Sequence, residues 1–254
     1  MEPMKVLSLG WGVQSVTIAA MVALGELEPI DVALHADTTH EASGTYAIAA
    51  KLTPWLEERG VKVVTVSDAQ PLPIIASAKT DIPAFTATDS RNGGMLRRQC
   101  TESWKIRPMR KWLQAHREGR KVEQWIGISL DEVQRMKDSD VQYITHRWPL
   151  IEKRMTRANC IAWLWRNGLP HVPKSACVFC PYHDTRSWHD MKESGNGDWQ
   201  KAIEVDNAIR KVRPPYDLFL HPARIPLSDV DFSTAEERGQ LRLWNEECTG
   251  ICGV

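Results

Sequence analysis

Apolar positions along the chain fall into short runs separated by longer stretches of helical period. Lys5-Val6-Leu7-Ser8-Leu9 is such a run, and Val16 to Leu24 continues with helix formers. Gly10 and Gly12 between them permit a tight turn, so strand, loop and helix are predicted in that order. Ile30 to Asp37 predicts a second strand, then a helix from near Ala42 to Arg59 that Gly60 stops. Val61 to Val66 predicts a third strand. The stretch from Pro71 to Gln99 carries Pro71, Pro73, Pro83, Gly93 and Gly94 with little period, and reads as a loop or lid. Cys100 to Glu118 predicts a helix whose start Pro108 restricts. Val122 to Ile128 and Val141 to Thr145 predict the fourth and fifth strands. A helix begins at Thr156 and runs through Trp165, before Gly168 and Pro170. Two more are expected near Thr185 to Lys192 and Asp198 to Val212, followed by a Pro-rich passage from Pro214 to Pro226. Thr234-Ala-Glu-Glu237 has the form of a capping box opening a last helix to about Glu246.

Strand and helix alternating in this way predict an α/β fold, a doubly wound, mostly parallel five-stranded sheet with a C-terminal helical, cysteine-bearing region. The expected division is an α/β domain over residues 1–150 and a helical cysteine-knuckle region over 151–254 with the tail packed on it. A chain of 254 residues can bury a sizeable core. Its 32 Lys and Arg balance 32 Asp and Glu, which argues against a nucleic-acid coat protein while allowing a local basic groove. No secretory signal pattern opens the sequence, and Val16 to Leu24 is too short to span a bilayer, so a cytoplasmic protein without a membrane partner is expected. In that compartment the six cysteines are thiols, metal ligands or redox groups.

Candidate chemistry gathers at the carboxyl ends of the expected strands. The turn from Gly10 to Ser15 aims a helix N-terminus at one point, which favours a phosphate, although many such turns carry glycine for packing alone. Asp37 and Thr38 close the second strand beside it; the alternative is that Asp37 only caps the next helix. Cys177-x-x-Cys180 has the spacing of a metal or cluster knuckle, against a redox dithiol or inert buried thiols. Cys100 and Cys160 are candidate further ligands, with zinc and an iron-sulfur cluster equal by count. Cys160 shares a helix face with Trp163 and Leu164 and fits a plain core cysteine nearly as well. His183 reads as a surface or supporting group rather than a ligand.

The order Ser8-x-Gly10, Asp37-Thr38, Cys100-Thr-Glu-Ser-Trp-Lys105-Ile-Arg-Pro108, Gly127-Ile-Ser-x-Asp-Glu132-x-x-Arg135 and Cys177-x-x-Cys180 resembles the phosphoadenosine phosphosulfate (PAPS) reductase family. The resemblance spans nearly the whole chain and is nearest to uncharacterised bacterial and phage members. It implies an adenine nucleotide alpha hydrolase-like fold, with Ser8, Gly10, Gly12, Gln14, Ser15, Asp37, Thr38, Gly127 and Arg135 around an adenine nucleotide such as ATP, and Mg2+ with its phosphates. It implies Cys100, Cys177 and Cys180 as ligands of a 4Fe-4S cluster, with either Cys160 in place of a missing neighbour of Cys100 or one iron left open to sulfide or substrate, zinc being the alternative. Gln14 stands where ATP pyrophosphatases carry an acid. Glu247-Cys248 resembles the start of the reductases' reactive tail, and Cys252 adds a second thiol; Cys248, Cys252 and Lys105 are the implied catalytic residues. The implied function is ATP-dependent substrate adenylylation and sulfur transfer, toward a nucleic-acid or small-molecule acceptor, with a sulfur or electron donor protein. Sulfonucleotide reduction is the first alternative and a non-catalytic, zinc-stabilised nucleotide- or nucleic-acid-binding protein the second.

Overall fold

A computed structural model describes residues 1–68, 72–77, 79–88, 93–234 and 237–238. In chain order the elements are β1 (Met4–Ser8), α1 (Val13–Ala23), β2 (Val32–Ala36), α2 (Ser43–Glu57), β3 (Val63–Val66), α3 (Leu72–Ile75) and β4 (Phe85–Ala87). A π-helical turn, Thr101–Ile106, leads into α4 (Arg107–His116), then β5 (Val122–Trp125), a 3-10 turn at Leu130–Arg135, and β6 (Ile144–Arg147). The remainder is α5 (Pro149–Glu152), α6 (Arg157–Arg166), α7 (Thr185–Glu193), α8 (Asp198–Ile209), β7 (Asp217–Phe219) and a short 3-10 turn at Leu227–Asp229.

Five strands form one parallel sheet in the order β3-β2-β1-β5-β6, with Val6 opposite Val32 on one side of β1 and Gln124 on the other. The expected α/β class and strand number hold. Successive side chains of β1 point to opposite faces, and both faces are covered. Leu7, Ala33 and Trp125 pack with α1, α2 and α6, while Val6, Val32, Leu34, Val122 and Ile144 pack with Met109 and Leu113 of α4. Burial on two faces is why these strands read as continuous apolar runs. Truncating Leu7, wholly buried, to alanine costs about 2–5 kcal/mol.

The chain divides into two compact units at boundaries other than residue 150. One holds residues 1–69 and 101–176, the other 70–100 and 177–254. Residues 151–176 belong with the sheet because α6 buries Cys160, Trp163 and Leu164 in the core that α1 lines. Thr156 starts α6 with a reciprocal capping box, accepting from the Asn159 amide at 3.2 Å while Asn159 Oδ1 accepts from Thr156 N at 2.9 Å. The expected loop over 71–99 contains α3 and β4. The latter pairs antiparallel with β7, Phe85 facing Phe219, so this segment joins the C-terminal residues instead of the sheet. Likewise the single helix expected from Cys100 begins as a π turn. Pro108 has no N–H to donate back along the helix, and regular α geometry starts only at Arg107.

In the second unit Trp188, Trp199 and Phe232 form an edge-packed aromatic cluster between α7 and α8. The buried Asp206 carboxylate pairs with Arg210 and accepts from the amides of Leu220 at 2.9 Å and Leu227 at 3.0 Å, closing the loops around β7. Thr234 and Glu237 make both capping-box bonds expected of them, at 2.6 and 3.2 Å; the rest of the last expected helix lies outside the described residues. No helix among the described residues is long and apolar enough to cross a membrane.

Candidate functional site

Strand order reverses between β1 and β5, and the loops leaving their carboxyl ends lie side by side. In open α/β sheets this is where ligands bind. After Ser8, the Leu9 amide still donates to Leu34 O at 2.9 Å, and the Leu9 carbonyl meets His35 Nδ1 at 2.9 Å. Burial pushes the His35 pKa down, so the ring is neutral near pH 7. Trp11 then takes a left-handed conformation, φ 56°, unusual without glycine and costing about 1–3 kcal/mol. Its indole, 1% exposed and edge-on to His35 at 6.2 Å, supplies the compensating burial.

Gly12 is the N-cap of α1 and provides no side-chain acceptor for the first turn. The Ser15 hydroxyl instead braces the turn from inside, accepting from Gly10 N and donating to Gly12 O, both at 3.2 Å. Gly127, leaving β5, passes directly over this turn. A Cβ there would sit 2.9 Å from Ser15 N and 3.1 Å from its Cα, so only glycine permits the approach. Gly10, Gly12, Ser15 and Gly127 thus lie against one another in the turn. Ser8 Oγ accepts from Gln124 at 2.8 Å.

The Gln14 side chain is held by three neighbours. Its amide donates to Glu132 at 3.1 Å and Ser129 at 3.4 Å, and its oxygen accepts from Arg157 at 3.2 Å. This latch fastens the start of α1 to the 3-10 turn and to α6. Arg135 pairs with Glu132 at 2.7 Å and is otherwise exposed.

The loop after β2 contributes a residue that the motifs did not single out. Glu41 is a carboxylate 1% exposed, bonded to Lys105 Nζ at 2.8 Å, Thr38 Oγ1 at 3.3 Å and Ser175 Oγ at 3.4 Å. Ser175 in turn lies beside the turn, 3.6 Å from a Cβ placed on Gly12. Lys105 is therefore held on the same edge of the sheet as the Gly10 to Ser15 turn, through Glu41 and Ser175. Asp37 does not cap α2, whose N-cap is Ala42. Its Oδ1 accepts from Thr39 N at 2.7 Å and the Tyr46 hydroxyl at 2.9 Å, and burial together with this carboxylate raises the Tyr46 pKa. Local signals could not flag Glu41, Arg157 or Ser175, because each acquires its partner from a distant segment.

None of Cys100, Cys160, Cys177 and Cys180 is disulfide-bonded. Cys177 and Cys180 form a tight turn closed by Cys180 N to Cys177 O at 3.1 Å. His183 bonds the Cys177 carbonyl at 2.9 Å and packs on Trp188 at 4.7 Å, a supporting role. Cys160 is wholly buried in the core of the first unit, where burial pushes its thiol up to about 11, opposed in part by its hydrogen bond with Thr17. A protonated thiol buried in this way fits core packing. Among the described residues no three His, Cys, Asp or Glu side chains stand together as a metal site. Cys248 and Cys252 lie outside the described residues.

The sequence matches no protein-family model, and no curated protein matches it. Among solved structures the chain is similar to phosphoadenylyl-sulfate (PAPS) reductase from Candida auris in its phosphate complex. That likeness has 14% identity over 68% of this chain and 76% of that one, with a TM-score of 0.45.

Proposed function

We propose that the chain is an adenine-nucleotide-dependent enzyme of sulfur chemistry, with the nucleotide at the carboxyl edge of the sheet between β1 and β5. The observation that carries this reading is the turn from Gly10 to Ser15. It sits where strand order reverses, its helix has no side-chain cap, and Gly127 keeps the neighbouring loop close without a side chain. Such a helix start favours a phosphate group. The motifs around Lys105 and Gly127 support adenine as the base and sulfur as the chemistry.

In this reading the amides of the first α1 turn and the Lys105 ammonium receive the phosphates, and Glu41 keeps Lys105 oriented toward them. An acceptor oxygen attacks the α-phosphorus, the bond from phosphorus to the bridging oxygen breaks, and pyrophosphate leaves with the electron pair. Fixed positive charge on that edge offsets the charge that builds in the transition state. A sulfur nucleophile then displaces AMP from the activated acceptor.

The test is calorimetric titration with ATP, PAPS and GTP, followed by assay of pyrophosphate release. The reading expects ATP to bind more tightly than GTP and pyrophosphate to appear once an acceptor is supplied. Binding of PAPS with no ATP binding would replace adenylylation by sulfonucleotide reduction. Binding of no adenine nucleotide would overturn the site itself.

A further inference from the structure

Helix α6 has two faces of unequal fate. Cys160, Trp163 and Leu164 are buried, but Trp165 is 80% exposed and Ile161 50% exposed. Ile161 and Trp165 are four residues apart, on one side of the helix, with the exposed Ala158 and Ala162 beside them. A tryptophan this open, flanked by small side chains, presents a flat ring with room for another planar group.

The charge carried by this segment is of one sign, and the two carboxylates that reach α6 from elsewhere are already bonded, Glu26 to Trp163 Nε1 at 3.1 Å and Asp131 to the Arg157 amide at 3.0 Å. From Lys153 to Ala176 the sequence has five Lys or Arg and no Asp or Glu, in a chain whose net charge is zero. Lys153, Arg154 and Arg166 are exposed and form no ion pair with a described residue. The preceding acid, Glu152, is already engaged by Arg147 at 2.9 Å. At the other end of the helix Arg157 reaches Gln14 at 3.2 Å, so α6 starts at the candidate site. Trp165 is eight residues further on, about 12 Å along the axis.

We propose that this face of α6 binds single-stranded nucleic acid, with a base stacked on Trp165 and backbone phosphates on Arg154, Arg166 and Lys153. Charge complementarity selects a polyanion, and an open aromatic ring among cations suits unpaired bases, whose faces are exposed for stacking. A strand bound here would lead toward the Gln14 and Arg157 end of the helix. The proposal goes beyond the nucleotide reading and does not depend on it.

The experiment is fluorescence anisotropy of the full chain with fluorescein-labelled single-stranded 15-mers, one DNA and one RNA, between 50 and 200 mM salt. Binding is expected, and Trp165→Ala should weaken it by at least about fivefold, in line with one lost stack. Arg154→Ala with Arg166→Ala should lower the slope of log affinity against log salt by about 1.4, two phosphates at roughly 0.7 each. All substituted side chains are exposed, so circular dichroism should match the parent. No binding at 50 mM salt, unchanged affinity in Trp165→Ala, or Trp165-dependent binding to phosphatidylserine vesicles without oligonucleotide binding would each overturn the proposal. ATP titration of Trp165→Ala should equal the parent, so loss of either site is seen separately.

Discussion

Replacing Lys105 by methionine isolates the cost of the Glu41 carboxylate. In the parent that group is 1% exposed, while the Lys105 side chain is 38% exposed. The two partners therefore differ in what happens when they part. Lysine can be hydrated where it stands; the carboxylate cannot, and keeps only hydroxyl contacts at 3.3 and 3.4 Å, long for a charged acceptor. Removing one partner of a fully buried pair costs about 3–5 kcal/mol, and surface pairs contribute about 0–1 kcal/mol. Space vacated by a half-exposed side chain admits some water, which puts Lys105→Met at about 2–3 kcal/mol. For a urea slope near ~3 kcal/mol/M, the midpoint falls by almost ~1 M. Glu41→Gln with Lys105→Met should recover at least half of that loss, because no buried charge is left uncompensated. The assay is urea denaturation followed by tryptophan fluorescence, with ATP titration of each variant alongside. A Lys105→Met midpoint within error of the parent would refute the argument, as would a double variant less stable than Lys105→Met alone.

Further expectations follow from the same geometry. Gly127→Ala places a methyl against the Ser15 backbone and should cost about 1–3 kcal/mol in thermal unfolding while abolishing ATP binding; normal binding would mean the two loops can part without consequence. His35 and His221 have pKa values lowered by burial, so the unfolded chain binds their protons first. Stability from these groups is present above about pH 6.5 and is lost as pH falls through that value toward their folded pKa, at up to about 1.4 kcal/mol per pH unit for the buried His35 and well below that for the half-exposed, solvent-screened His221. Urea midpoints between pH 5 and 7 should show this decline, flattened by His35→Asn. The Cys160 thiol, pushed up to about 11, should react with iodoacetamide far more slowly than Cys177 or Cys180, as read by peptide mass spectrometry of the folded protein; equal labelling would remove it from the core.

Much of the sheet was legible because its strands are short apolar runs buried on both faces and separated by helices of clear period. The turn after β1 was legible for a local reason, since Gly10 and Gly12 sit in five consecutive residues with Ser8 and Trp11. What escaped depends on partners far along the chain. β4 pairs with β7 across a Pro-rich stretch, and three residues at each end carry no pattern strong enough to show it. Glu41 looked like one polar residue in a polar loop until Lys105 and Ser175 enclosed it. Gln14 was expected beside a phosphate because of its place in the motif, yet its amide is taken up by Ser129, Glu132 and Arg157. Cys160 was legible in one respect: its neighbours Trp163 and Leu164 announced the buried face on which it lies.

The pairing of Phe85 with Phe219 has a consequence for how the chain acquires its structure. These residues are 134 positions apart, and closing so long a loop in an unfolded chain is slow. Most of the intervening sequence, residues 101–176, belongs to the other compact unit. Once that unit has formed, the stretch left to search is far shorter, and the entropy of closure falls accordingly. On a ribosome β4 would also emerge long before its partner strand has been made. Sheet first and two-strand ladder last is the order this connectivity favours, with the Phe219 amide, which faces Phe85 across the ladder, gaining protection in pulse-labelled hydrogen exchange after those of β1 and β2.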